Sequence, residues 1–146
     1  MSKENLNSPF KIIISNGITY REDDPNTPYS GVYNWLTDDG SAVTSVYEDG
    51  FHVSQLITDN GLTRSKTLFR KDHSKEITIY DDNGDISIRN QIVDGKLEGM
   101  TEIYADGVLL MTAEFKKGRK NGECIVYHAD GSIARREYYL NNVKQD

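Results

Sequence analysis

Gly95-Lys96-Leu97-Glu98-Gly99, followed by Tyr104, Asp106-Gly107 and Phe115, is repeated as Gly118-Arg119-Lys120-Asn121-Gly122, followed by Tyr127, Asp130-Gly131 and Tyr139. Gly95 to Gly118, Gly99 to Gly122 and Tyr104 to Tyr127 are each 23 residues apart. A fixed period of this size signals a repeat architecture, in which each unit buries its surface against its neighbours.

The pattern extends towards the amino terminus. Gly17, Gly40, Gly61, Gly84, Gly107 and Gly131 follow one another at 23, 21, 23, 23 and 24 residues, and each is preceded by Asn or Asp. Asn-Gly and Asp-Gly suit two-residue hairpin turns, whose two central positions both need positive φ. The spacing therefore predicts about six β-hairpins. Lys11–Ser15 and Ile18–Arg21 form the first, around Asn16-Gly17. Glu22–Pro28, with Pro25 and Pro28, reads as a loop lying at a sheet edge. Tyr29–Leu36, Ser41–Tyr47, Phe51–Thr58 and Leu62–Phe69 follow as strands, and Lys71–Lys75 stands where later units carry glycines. Alternation on the fourth strand sets Val43, Ser45 and Tyr47 on one face and Ala42, Thr44 and Val46 on the other. Ile77 and Ile79, then Ile86, Ile88 and Ile92, then Leu109, Met111, Ala113 and Phe115 continue an apolar face. Arg135 interrupts that face in the last unit, as expected of a terminal repeat that meets water.

No segment keeps a 3.6-residue apolar period over a helix length. The expected fold is all-β: an antiparallel meander of β-hairpin repeats forming an elongated, twisted, open sheet of 11 to 12 strands, ~5 residues each. Periodicity does not decide closure, so a sandwich or half-open barrel stays open. One repeat domain is expected over residues 11–142, with loose ends at 1–10 and 143–146.

Composition fits such a sheet. Apolar residues make up 36% of the chain and mean hydropathy is −0.64, low for a thick core but adequate for stacked units. The net charge of −6 is unevenly placed: residues 1–60 hold nine acids against three bases, whereas the remainder balances. An acidic chain is a poor match for nucleic-acid phosphates or anionic membranes, and suits a basic partner. Cys124 is the only cysteine, so no internal disulfide can form, and Ile12-Ile13-Ile14 is too short for a signal or spanning segment; a cytoplasmic location is expected.

Little in the sequence suggests catalysis. Cys124 and His128 supply two metal donors where zinc takes three or four, and an apolar strand position does not favour a reactive thiolate. Asp81-Asp82-Asn83-Gly84-Asp85 lacks the later glutamate of a calcium loop and reads as a hairpin turn. No phosphate-cradling glycine loop or acid–base pair stands out, so no enzyme activity, metal or cofactor is expected. The candidate partner-binding residues are Tyr33, Trp35, Asp38, Asp39, Tyr47, Glu48 and Asp49, with Tyr29 beside them; they join the sole tryptophan to acidic hairpin tips. The bland reading packs the aromatics on the sheet and leaves the acids as solvated turns. Lys116-Lys117-Gly118-Arg119-Lys120 carries four bases in five residues and reads as a solvated turn.

The segments Asp94–Gly107 and Arg119–Gly131 resemble the bacterial variant of the MORN repeat. Asn16-Gly17-Ile18-Thr19-Tyr20, Pro28-Tyr29-Ser30-Gly31 and Asp39-Gly40 resemble the amino-terminal signature of YwqK-type antitoxins. The resemblance covers roughly Gly17 to Asn142. It implies a hairpin-repeat scaffold that binds and neutralises a cognate cytoplasmic toxin, a nuclease among the candidates, and it brings no catalytic residues. On this reading the protein is a monomer or weak dimer. The competing expectation is a non-catalytic scaffold for membrane tethering or self-assembly.

Overall fold

A computed structural model describes residues 7–146. Every regular element in it is a β-strand, and within each unit most consecutive strands pair antiparallel in open sheets, as the repeat pattern predicts. The chain divides into two compact units, Met1–Phe69 and Arg70–Asp146.

In the first unit, β1 (Ile12–Ser15), β2 (Ile18–Arg21) and β3 (Asp24–Pro28) form a small sheet. The strand β3 replaces the loop expected over Glu22–Pro28. Its two prolines are tolerated because it is an edge strand, exposed throughout, whose outer side requires no N–H donors. A second meander consists of β4 (Gly31–Leu36), β5 (Ala42–Glu48), β6 (Phe51–Asp59) and β7 (Leu62–Phe69). Val43, Ser45 and Tyr47 are buried in alternation along β5, on the shared face that the two-residue period assigns them.

The looseness expected of residues 1–6 falls outside the described residues. From Ser8 onward the segment is tied down. Ser8 donates its N–H to the Asn34 carbonyl and accepts the Asn34 N–H on its hydroxyl, both at 2.8 Å, covering part of the β4 edge. Phe10 then packs on Tyr29 and Tyr33, with the Arg21 guanidinium 4.0 Å above its ring.

The second unit runs β8 (Ser74–Tyr80), β9 (Ile86–Val93), β10 (Lys96–Leu97), β11 (Gly99–Ala105), β12 (Val108–Lys116), β13 (Arg119–Tyr127), β14 (Ile133–Leu140) and β15 (Val143–Gln145). Both β10 and β11 pair with β9, one strand interrupted at Glu98. Register aligns Ile79, Ile88, Ile103, Met111 and Val126 in one apolar row. Beside it lie buried Thr101, Ala113 and Cys124. Arg135 ends the apolar row, mostly exposed and paired with Glu137 at 2.9 Å. At the carboxy-terminal end Val143–Gln145 pairs with Tyr138–Leu140. The 15 strands are more numerous than expected and reach nine residues, because two-residue turns let pairing run up to the reversal.

The six Asn/Asp-Gly pairs all mark reversals, but of two kinds. At Asn16-Gly17, Asn60-Gly61 and Asp106-Gly107 both residues have positive φ, as a two-residue turn requires. At Asp39-Gly40, Asn83-Gly84 and Asp130-Gly131 only the glycine does, and the expected two-residue turn is replaced by a longer loop. In the loops 37–41, 81–85 and 128–132 the first residue donates to the carbonyl of the fifth at 2.8–2.9 Å. An aspartate in each accepts the fifth residue's N–H. The loop 70–74 has the same bonds, with His73 at φ 69° where the others carry glycine.

A second contact recurs with the repeat. The turn residues Asp49, Lys117 and Asn141 donate their N–H to the side chains of Ser30, Glu98 and Asn121. The next residues, Gly50, Gly118 and Asn142, donate to the carbonyls of Tyr29, Leu97 and Lys120 at 2.7–2.9 Å. Each such turn is thereby fastened to the preceding hairpin.

Candidate functional site

Trp35 and Tyr33 project from β4 to the face that carries Val43, Ser45 and Tyr47, because the register sets Trp35 opposite Val43 and Tyr33 opposite Ser45. Trp35 is 40% exposed, while Val43 beside it is 1% exposed. Together they border a hollow of about 520 Å³, closed by Thr58, Asp59 and the Asn60-Gly61 turn. A hollow lined by both polar and apolar groups beside one projecting tryptophan suits insertion of a partner side chain.

Asp38 and Asp39 are exposed in the loop 37–41 at this end of β5. Asp39 is committed to the loop: it accepts hydrogen bonds from the Thr37 hydroxyl and the Ser41 N–H. The Thr37 bond, then those from Ser41, hold its carboxyl below the usual carboxylate range. Asp38 has no such bond among the described residues and is the available charge. Glu48 and Asp49 are also exposed, but at the opposite end of the seven-residue β5, roughly 20 Å away. The four acids thus fall into two separate pairs.

Tyr47 belongs to the interior of the first unit. It is 8% exposed and stacks on His52 at 4.7 Å, and His52 stacks on Phe69 at 4.3 Å. Tyr29 joins the Tyr47 ring from the other side at 5.7 Å. Burial raises the Tyr47 hydroxyl above its ordinary pKa and lowers His52 below its own. His52 Nε2 is buried without a hydrogen-bond partner among the described residues. Of the sequence candidates, Trp35 alone lines the hollow, Asp38 is exposed in the adjoining loop 37–41, Tyr33 lies in the aromatic cluster with Phe10, and Tyr47 packs inside.

Sequence reasoning missed Asp59, which the β5–β6 hairpin brings to the hollow from 24 residues beyond Trp35. Its place just ahead of Asn60-Gly61 was the available signal. Among the described residues no group of three or more His, Cys, Asp or Glu could hold a metal ion. Cys124 is buried against Ala113, whereas His128 is exposed at the start of a loop. Asp81 accepts the N–H groups of Asn83 and Asp85, the hairpin use of that acidic stretch. No family model matches the chain, and a search of curated proteins finds no similar one.

Proposed function

We propose that this protein is a non-catalytic immunity protein or antitoxin that binds a basic cognate toxin and covers its active site or substrate groove. The observation that supports this reading is Trp35, exposed beside a 520 Å³ hollow that Asp59 also lines, with exposed Asp38 three residues further along the chain. A lysine or arginine of the toxin entering there would meet the indole and the Asp59 carboxylate together, pairing cation–π attraction with charge. The excess of acids over residues 1–60 would steer a basic partner towards this unit.

The test is co-expression with the product of the adjacent reading frame. Growth should be restored and the two chains should copurify. Trp35 is the only tryptophan, so its emission reports binding directly and should shift blue as the hollow is covered. A neighbour that is not toxic, or a toxin that binds without changing the emission, defeats the proposal.

The scaffold reading has one observation in its favour. At the β14–β15 end, Tyr138, Leu140 and Val143 are 52%, 57% and 63% exposed, and an apolar edge strand invites pairing with another chain. Concentration-dependent mass in sedimentation, abolished by Val143→Lys, would favour self-assembly over toxin binding.

A further inference from the structure

We propose that the second unit carries an anion site for a small molecule bearing several phosphate groups. Lys96, Lys116, Lys117 and Arg119 converge on one hollow of about 520 Å³, with Asn121, Leu140 and Asn141 completing its wall. The cations come from β10, the β12–β13 turn and its two flanking strands. Lys96 and Arg119 follow Gly95 and Gly118 and occupy the same position of successive repeats, so the 23-residue period itself stacks them.

Three features distinguish this cluster from a solvated turn. First, these four cations share one hollow without an ion pair among the described residues; Lys75, Lys120 and Arg136 of the same unit also lack one but do not line it, and Arg70, Arg89, Arg135 and Lys144 reach carboxylates. The nearby Glu98 carboxylate is held by the Lys117 N–H at 2.6 Å and does not line the hollow. Second, Lys116 and Arg119 are direct cross-strand partners, and like charges placed opposite each other repel. A bound anion converts that repulsion into shared attraction. Third, the cradle is held in shape. Gly118 donates to the Leu97 carbonyl at 2.9 Å, and the Lys96 stem lies along the Gly118 α-carbon, which would bring a β-carbon within 3.8 Å of it.

The chemistry selects phosphate. Arginine offers a planar fork that matches phosphate oxygens, and lysines add point charges around it. Four cations exceed what one monoanion requires. A volume of 520 Å³ lies within the range of small-molecule sites, roughly 300–1,000 Å³.

The experiment titrates the full chain with sodium tripolyphosphate at low ionic strength, read by calorimetry and by amide chemical shifts. Expected are saturable binding, shifts concentrated at residues 116–121, and weakening by about tenfold or more in Lys116→Gln/Arg119→Gln. Lys66→Gln removes one charge from the first unit and should bind as the unaltered chain does. Added salt should weaken binding. Absence of saturable binding at about 10 mM tripolyphosphate overturns the site; so do shifts spread away from the hollow. Undiminished binding by the double variant does the same. Should that variant misfold, the shift map of the unaltered chain decides alone. Sedimentation with phosphatidic acid vesicles, without any response to tripolyphosphate, assigns the cations to a lipid surface and overturns the small-molecule proposal.

Discussion

The backbone N–H of Lys117 donates to the carboxylate of Glu98 at 2.6 Å, across 19 residues of chain. Ser30 receives Asp49 and Asn121 receives Asn141 in the same place, so three different side chains perform one task. Glu98→Ala should cost about 1 kcal/mol in chemical denaturation. It should also remove hydrogen-exchange protection from the Lys117 amide. Glu98→Asn, which copies the residue at position 121, should recover part of both.

Gly50 tests a tighter requirement. It has φ +82°, and a β-carbon there would overlap Ile18 Cγ2 and lie 3.1 Å from the Thr19 carbonyl and 3.2 Å from Pro28. Gly61 has φ +77° with open space around it. Gly61→Ala should therefore lose only the left-handed penalty, about 1 kcal/mol. Gly50→Ala adds steric overlap and should lose about 3 kcal/mol or more. Thermal melts of the two variants check the ordering.

His52 makes the first unit sensitive to acid. Its pKa is lowered in the folded chain by burial, so the unfolded chain binds its proton more readily. The stability it leaves intact is fully present above the unfolded value, near 6.5, and is lost as pH falls from there towards the folded value. Its stacking partners Tyr47 and Phe69 bring no carboxylate to offset the charge. His52→Phe keeps an aromatic in the stack and removes the unpartnered Nε2. Melting temperatures between pH 8 and 5.5 should fall for the unaltered chain and change less for the variant.

On the proposed function, Trp35→Ala should weaken binding of the cognate toxin by about tenfold or more while shifting stability by less than about 2 kcal/mol, since the ring is 40% exposed. Charge reversal at Asp38 and Asp59 should slow association and flatten its salt dependence more than reversal at Glu48 and Asp49. Stopped-flow tryptophan emission measures both. Equal effects from the two ends of β5 would place the toxin elsewhere.

Much of this architecture was legible because hairpins depend on local chemistry. Asn60-Gly61 and Asp106-Gly107 announce turns with their own backbone preferences, and alternation along β5 assigns Val43, Ser45 and Tyr47 to one face. Asp39-Gly40 looked the same as those turns. Its five-residue loop depends on hydrogen bonds from Thr37 and Ser41 that dipeptide composition does not reveal. His73 takes the left-handed conformation that glycine takes in the other five-residue loops, which its residue type does not reveal. Pro25 and Pro28 suggested a loop because their tolerance in β3 depends on that strand being an edge, a tertiary fact. At the candidate site, an acidic and aromatic composition could not say that Tyr47 is enclosed, or that Glu48 lies far from Asp38 along β5.

The turn-to-hairpin fastenings at Asp49, Lys117 and Asn141 all reach backwards, to Ser30, Glu98 and Asn121. During synthesis, each of these loops can therefore latch as soon as it clears the ribosome, onto chain that emerged about 20 residues earlier. None of the three waits for a later segment. Such short-range closure favours rapid, stepwise assembly, and a newly duplicated copy of the module would arrive with its own attachment point already in place.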